Sequence, residues 1–312
     1  MRTSVVLCTR NRVEETIRFC KSLFVQTEPT EELVIVDSSD MPMDKNREFM
    51  AFLLQNAGAT SINYVHSDPG LTKQRNIGVA ASHGDIIYFF DDDIILEPNF
   101  LQIMNNSFRR HPDYMGGMGE MKDLARPGLS TIERFLRAAD NIYGYLFLLT
   151  LDNGDGKFHK SGLPRYPHGT TGFREVEDLN GGLTGYRRVV FDEFQFDERL
   201  TGYSYMEDVD FSRRVSYKYR LFYNPEAKVE HRVGAGGRGE RRRNREMFIL
   251  NHQYLFYKNF YPRNRLYAIC HYWSILGLFF HSLLLARFDE LRGYLEGLGE
   301  FRKKRKELLG SE

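Results

Sequence analysis

Three aspartates stand in a row in YFFDDDIILEP, residues 88–98, directly after a run of apolar side chains. Carboxylates this close repel one another, and burying them unpaired is costly. In an extended segment alternate side chains point the same way, so Asp91 and Asp93 are expected to share a face. Two carboxylates at that spacing suit a hard divalent ion, Mg2+ or Mn2+. Such an ion can neutralise a diphosphate as a bond to it breaks. Without it the triplet should be strained by repulsion. The alternative is a solvated helix N-terminus, since Pro98 and Asn99 open a helix soon after.

A second acidic cluster, Glu207, Asp208 and Asp210, lies in YSYMEDVDFSRR. It reads either as an acidic first helical turn matched to the helix dipole or as a general base near the first cluster. Neighbouring acids make a carboxylate a better proton acceptor, which suits the second role. Asp37 ends a strand-like run, where it can accept hydrogen bonds from a ribose or base, or cap the next turn. His231, in KVEHRVGAGGRGERRR, is either structural or the completion of a metal site. The loop after it holds Gly234, Gly236, Gly237 and Gly239, then Arg238, Arg241, Arg242, Arg243 and Arg245. Arginines clamp phosphates in bidentate fashion, so one or two of these are expected to reach a phosphate.

These groups need a scaffold. SVVLCT (4–9), ELVIVDSS (32–39), INYVHS (62–67) and DIIYFF (85–90) read as strands. Helical periods fill 11–26, with Asn11 as N-cap, then 44–57, 71–84 closed by Gly84, and 99–111. Strand and helix alternate four times with short connections, which predicts an α/β fold built on a doubly wound, mostly parallel sheet flanked by helices. Asp37 and Asp91–Asp93 then sit at the same sheet edge, where open α/β sheets bind ligands. After residue 112 the alternation weakens. A helix is expected over 130–150 and a long loop over 152–172.

The 312 residues are 42% hydrophobic and 27% charged, an ordinary globular balance, and the net charge of +1 gives no support for nucleic-acid binding. Three cysteines without a CxxC pair argue against a disulfide framework or thiolate metal site and fit a reducing compartment. MRTSVVLCTRNR lacks a signal-peptide core, so a cytoplasmic location is expected. No GxGxxG follows the first strand and no GxxxxGK[ST] occurs, which disfavours dinucleotide and P-loop chemistry.

Together, SVVLCTRNR, LVIVDSS, LTKQRNIGVAAS, DIIYFFDDD, LNGGLTGYRRVVFDEFQFDERL, MEDVD and VEH resemble, in order, an inverting family 2 glycosyltransferase of GT-A fold. The resemblance covers about residues 1–260. It implies a sugar moved from a nucleotide-diphosphate sugar to a saccharide or lipid-linked acceptor, with Mg2+ or Mn2+ as cofactor. By that resemblance Asp37 contacts the nucleoside, Thr9 and Arg12 line the same pocket, and Arg75 lies near the donor. Asp91 and Asp93 hold metal and diphosphate, Asp92 is left for ribose or donor sugar, Asp208 is the base and His231 a further metal ligand. Gly181 and Gly182 would let backbone pass close to sugar or acceptor, with Glu207 on the acceptor side. The loop 152–173 matches no pattern of that family. The expected division is 1–111 for the nucleotide, 112–260 for the acceptor, and 261–312 as a C-terminal helical extension. The competing readings are a nucleotidyltransferase on a related sheet and a non-catalytic scaffold at a membrane surface.

LYAICHYWSILGLFFHSLLLA (266–286) carries no formal charge and is long enough to span a bilayer at about 1.5 Å per residue. His271, Trp273, Ser274, His281 and Ser282 weaken that reading. Arginines flank it on both sides, so the positive-inside rule gives no orientation. A helix or helical pair lying in, or re-entering, the surface of an anionic membrane, at the inner face of the cell membrane, is the expectation. Packing on the catalytic part or on a second subunit is the alternative.

Overall fold

The computed structural model describes residues 1–122, 130–151, 154–202, 204–232 and 241–310. Two compact units divide the chain: Met1–Ala125 with His168–Gly234, and Arg126–Pro167 with Ala235–Glu312.

The first unit is an α/β domain. Its strands are β1 (Thr3–Thr9), β2 (Glu32–Asp37), β3 (Ser61–His66), β4 (Ile86–Phe90), β5 (Ile94–Leu96), β6 (Tyr114–Met121), β7 (Arg174–Val176), β8 (Leu183–Arg187) and β9 (Arg220–His231). They form one sheet in the order β3-β2-β1-β4-β8-β6-β9-β5, with β7 also paired to β9. The expected strands form the parallel half, β3-β2-β1-β4. Antiparallel pairing enters beyond it, where β8 lies between β4 and β6. The runs VVL, LVIV and IIYFF read as continuous apolar segments because they are covered on both faces; their residues are 0–3% exposed.

The helices of this unit are α1 (Val13–Phe24), α2 (Arg47–Asn56), α3 (Leu71–Ala81) and α4 (Phe100–Arg110), followed later by one at Glu207–Ser216. Asn46 caps α2 by accepting from the Phe49 N–H at 3.0 Å. Asn11 does not cap α1 as expected. It takes a left-handed φ of 56° and donates to Asp40, so the helix starts after Arg12. Helix α3 stops at Ala81, earlier than Gly84, because Ser82 is already extended and the Gly84 N–H donates to the Ser4 hydroxyl.

The second unit is helical: α5 (Thr131–Leu146), then, after the helix at Glu207–Ser216 (α6), α7 (Arg241–Asn259), α8 (Tyr267–Leu284) and α9 (Phe288–Leu309). Ser130 and Glu133 start α5 with a reciprocal capping box. Gly293 and Gly297 of α9 lie against α7, where a Cβ would come within 2.3 and 2.2 Å of it. The expected boundary at residue 260 therefore falls inside this unit. The loop 154–167 is fixed by its own backbone: the Ser161 carbonyl faces His252 Nε2 at 3.0 Å and His271 Nδ1 at 3.1 Å. Burial pushes His252 down to about 4, so this imidazole is neutral at physiological pH.

The glycine-rich run 233–240, with Arg238, lies outside the described residues. Of the five arginines from which one or two were expected to reach a phosphate, Arg242 and Arg245 meet Glu296 and Glu290 of α9.

Candidate active site

The site is built at the carboxyl edge of the parallel half-sheet, where β4 ends at Phe90. Asp91–Asp93 form a turn, closed by the Ile94 N–H donating to the Asp91 carbonyl at 3.4 Å. The alternation expected of an extended segment therefore does not apply. Asp92 and Asp93 are the two that share a partner. Arg12 Nη1 lies 2.7 Å from Asp92 Oδ1 and 3.2 Å from Asp93 Oδ2. The Thr9 hydroxyl also donates to Asp92, at 2.8 Å. On its other side Asp93 Oδ1 sits 3.3 Å from His231 Nε2, brought there by the pairing of Ile94 with His231 across β5 and β9. Asp91 leans the other way, 3.9 Å from Arg75 Nη2. The expected strain of the triplet is thus offset by side chains of the protein itself: Arg12 serves two carboxylates, with His231 and Arg75 at either end.

The three carboxyls differ in character. Burial resists ionisation of Asp93, yet His231 and Arg12 hold it below the usual carboxylate range. Burial raises Asp92 despite Arg12 and Thr9. Asp91 is pushed up to about 6, first by desolvation and then by Asp93, Asp92 and Asp208, against the pull of Arg75. Its side chain is nevertheless 49% exposed, so solvent damps that shift and a cation can reach it.

Arg75 is the organiser of the site. It comes from α3 and is 3% exposed, between the Phe89 and Phe196 rings with its guanidinium carbon 5.7 and 5.3 Å from their centres. Its Nη1 lies 2.7 Å from Glu207 Oε1 and its Nη2 donates to the Gly181 carbonyl at 3.1 Å. One guanidinium thus ties the β4 turn, the Gly181–Gly182 turn and the start of α6. Glu207, expected on the acceptor side, is buried and turned inward onto Arg75. Burial, with repulsion from Asp208 and Asp91, lifts its carboxyl well above the ordinary range despite Arg75.

Asp208 is held by two N–H groups: Oδ2 accepts from Gly181 at 3.0 Å and Oδ1 from Val209 at 2.8 Å. The glycines permit this closeness. A Cβ on Gly181 would meet Arg75 Nη1 at 2.6 Å and Asp208 Cβ at 2.9 Å; one on Gly182 would meet Asp91 Oδ2 at 2.4 Å. Both glycines are accordingly explained by the charged groups they let approach, Arg75 and Asp208 at Gly181 and Asp91 at Gly182, before any sugar is considered. Asp210 is not part of this cluster: it is fully buried and paired with Arg214 at 2.8 Å.

Asp37 acts on its own loop. Oδ1 accepts from the Ser39 N–H and hydroxyl, and Oδ2 from the Met43 N–H and Tyr64 hydroxyl. Those four donors fill its lone pairs, and it is 0% exposed, so as placed it caps a turn and leaves nothing for a nucleoside. Two buried acids had little signal in the sequence. Glu120, on β6, receives the Gly169 N–H at 2.7 Å, the Tyr223 hydroxyl and a contact from His168 Nδ1 at 3.2 Å. Asp178 is 0% exposed behind Asp208, 3.1 Å from the Ser212 hydroxyl, and burial raises it well above the carboxylate range. A lone acid inside the buried run GGMGEM was the only hint of the first.

Residues 4–194 match the family model of glycosyl transferase family 2. The chain belongs to that family. The match takes in Thr9, Arg12, Asp37, Arg75, the aspartate triplet and Gly181–Gly182, and ends before Asp208 and His231. A glucosyl-dolichyl phosphate glucuronosyltransferase of Haloferax volcanii is 25% identical over 116 residues, 36% of each chain. The family 2 chain thus matches only about a third of that relative's length. Among solved structures, residues 1–349 of S. aureus TarS are 16% identical with a TM-score of 0.59, over 96% of this chain and 80% of that one. GalNAc-T7 with UDP, GalNAc and Mn2+ gives 16% identity and a TM-score of 0.57, over 98% of this chain and 57% of that one. At these identities the likeness is one of fold, and it agrees with the GT-A-type architecture expected.

For Mg2+ or Mn2+, the donor types fit. Asp93 Oδ1 and His231 Nε2 already face each other, and Asp91 offers an accessible carboxylate. Among the described residues no three His, Cys, Asp or Glu side chains converge tightly enough to hold an ion alone.

Proposed function

We propose that this family 2 transferase moves a sugar from a nucleotide-diphosphate sugar to an acceptor hydroxyl by a metal-dependent inverting displacement. The observation that carries the reading is Arg75, which draws the Asp91 turn, Gly181 and Glu207 onto one guanidinium, with Asp208 held beside it by the Gly181 N–H. Asp208 takes the proton from the attacking hydroxyl. The Gly181 and Val209 N–H groups fix the direction in which its carboxylate points. Asp91, Asp93 and His231 would hold the cation, which when bound neutralises charge on the departing diphosphate. Thr9 and Arg12 keep Asp92 and Asp93 aligned beside it. Asp37 shapes the nucleoside pocket through the 38–43 loop that it caps.

The acceptor is proposed to be a saccharide or lipid-linked, in cell-surface polysaccharide or glycolipid synthesis at the inner face of a membrane. The dolichyl-phosphate substrate in the name of the Haloferax relative supports that class.

A thermal-shift panel of UDP-, GDP- and dTDP-sugars with and without Mn2+ tests the donor side. One nucleotide is expected to raise the melting temperature by several degrees at about 100-fold excess over Kd, and only with the metal present. Asp93→Ala should abolish the metal-dependent part. No shift from any nucleotide sugar contradicts the reading.

A further inference from the structure

Helix α8 has two unlike faces. Inward it presents His271, Ser274 and Gly277, all buried. His271 meets the Ser161 carbonyl, and the Gly277 carbonyl accepts from the Tyr143 hydroxyl at 2.7 Å. Outward it presents Leu266, Ile269, Trp273, Leu276, Phe280 and Leu284, 41–75% exposed. Helix α5 continues that outer face. Its Tyr143 and Phe147 pack toward α8, while Ile142, Tyr145 and Leu146, spaced i, i+3 and i+4, are 54–70% exposed. The join is at Trp273, whose ring stacks on Phe147 at 4.9 Å and donates to the Leu146 carbonyl at 2.7 Å.

We propose that the outer face of α8 and the last two turns of α5 form one surface that lies in the plane of an anionic lipid bilayer without crossing it. The charges select that occupant over a protein. No acidic residue lies within 266–286, Arg263 and Arg265 precede the face, and Arg287 comes after it. The exposed run Arg302–Lys306 on α9 adds cations to the same unit. The inner face rules out a span. Among the described residues α8 is the one helix long and apolar enough to cross a membrane. Crossing would carry the polar backbone of loop 154–167 into hydrocarbon or strip it from His271. This deepens the membrane placement proposed above, and vesicle binding tests it without any turnover.

Trp273 is the chain's single tryptophan, so its emission reports on the join itself. Phosphatidylcholine vesicles containing phosphatidylglycerol should shift that emission to the blue, and brominated lipid should quench it. Phosphatidylcholine alone should bind more weakly, and salt should weaken the anionic case. Leu276→Glu on α8 and Leu146→Glu on α5 should each reduce partition about tenfold, with the thermal response to nucleotide unchanged. Any of four results overturns the proposal: no blue shift or quenching with anionic vesicles, unchanged partition in Leu146→Glu beside a loss in Leu276→Glu, membrane-bound protein that resists alkaline extraction, or a dimer in light scattering that Leu276→Glu dissolves.

Discussion

Asp208→Asn is expected to lower sugar transfer by about 10²–10⁴-fold while leaving nucleotide binding within about twofold. The carboxylate is the proton acceptor in the proposed displacement, and an amide cannot take that role. The substitution also puts an NH2 group against one of the two N–H donors that hold Asp208, from Gly181 and Val209. About 1 kcal/mol of stability should be lost with that mismatch. Melting temperature and nucleotide binding separate the two effects: a small fall in the first and none in the second, beside a large loss of rate, identifies a base. Full activity in Asp208→Asn removes it from that role.

Arg75→Met is expected to cost about 3–5 kcal/mol, the loss seen when one partner of a buried ion pair is removed. Both ends of the pair are buried, Arg75 at 4% and Glu207 at 7% side-chain exposure. The methionine fills much of the aliphatic volume between Phe89 and Phe196, so the cost is mainly electrostatic. Glu207→Leu in the same chain should restore a large part of the stability, because no buried carboxyl is then left without its cation. Activity should not return with it, since Asp91 and the Gly181 turn still lack their tie. Denaturant unfolding of the two variants measures this. A single variant within about 0.5 kcal/mol of the parent would show that Arg75 is not the organiser.

The parallel half of the fold is legible in the sequence because its strands are unbroken apolar runs and its helices keep a clear period. The chain beyond residue 112 is harder to read. Strand β6, YMGGMGEM, carries glycines where Tyr186, Leu221 and Phe222 press on it, and those side chains lie far away in the chain. The loop 152–173 resists reading for a similar reason. Its stretch 154–167 is held through the Ser161 carbonyl by His252 and His271, 91 and 110 positions later. In the site, the residue types were readable and the partnerships were not. Arg12 bridging Asp92 and Asp93, and Arg75 meeting Glu207, are tertiary pairings that no local pattern encodes. Asp37 shows the reverse. DSSD is a turn-capping sequence, and the local reading is the one its hydrogen bonds obey.

The stereochemistry of the first product tests the central claim most directly. Proton NMR of the transfer product formed with metal present reads the anomeric configuration at the transferred carbon, which the new glycosidic bond keeps from mutarotating. Direct attack by a hydroxyl deprotonated by Asp208 predicts inversion, so an α-linked nucleotide sugar gives a β product. An α product would mean retention, and would contradict both the single displacement and the role given to Asp208.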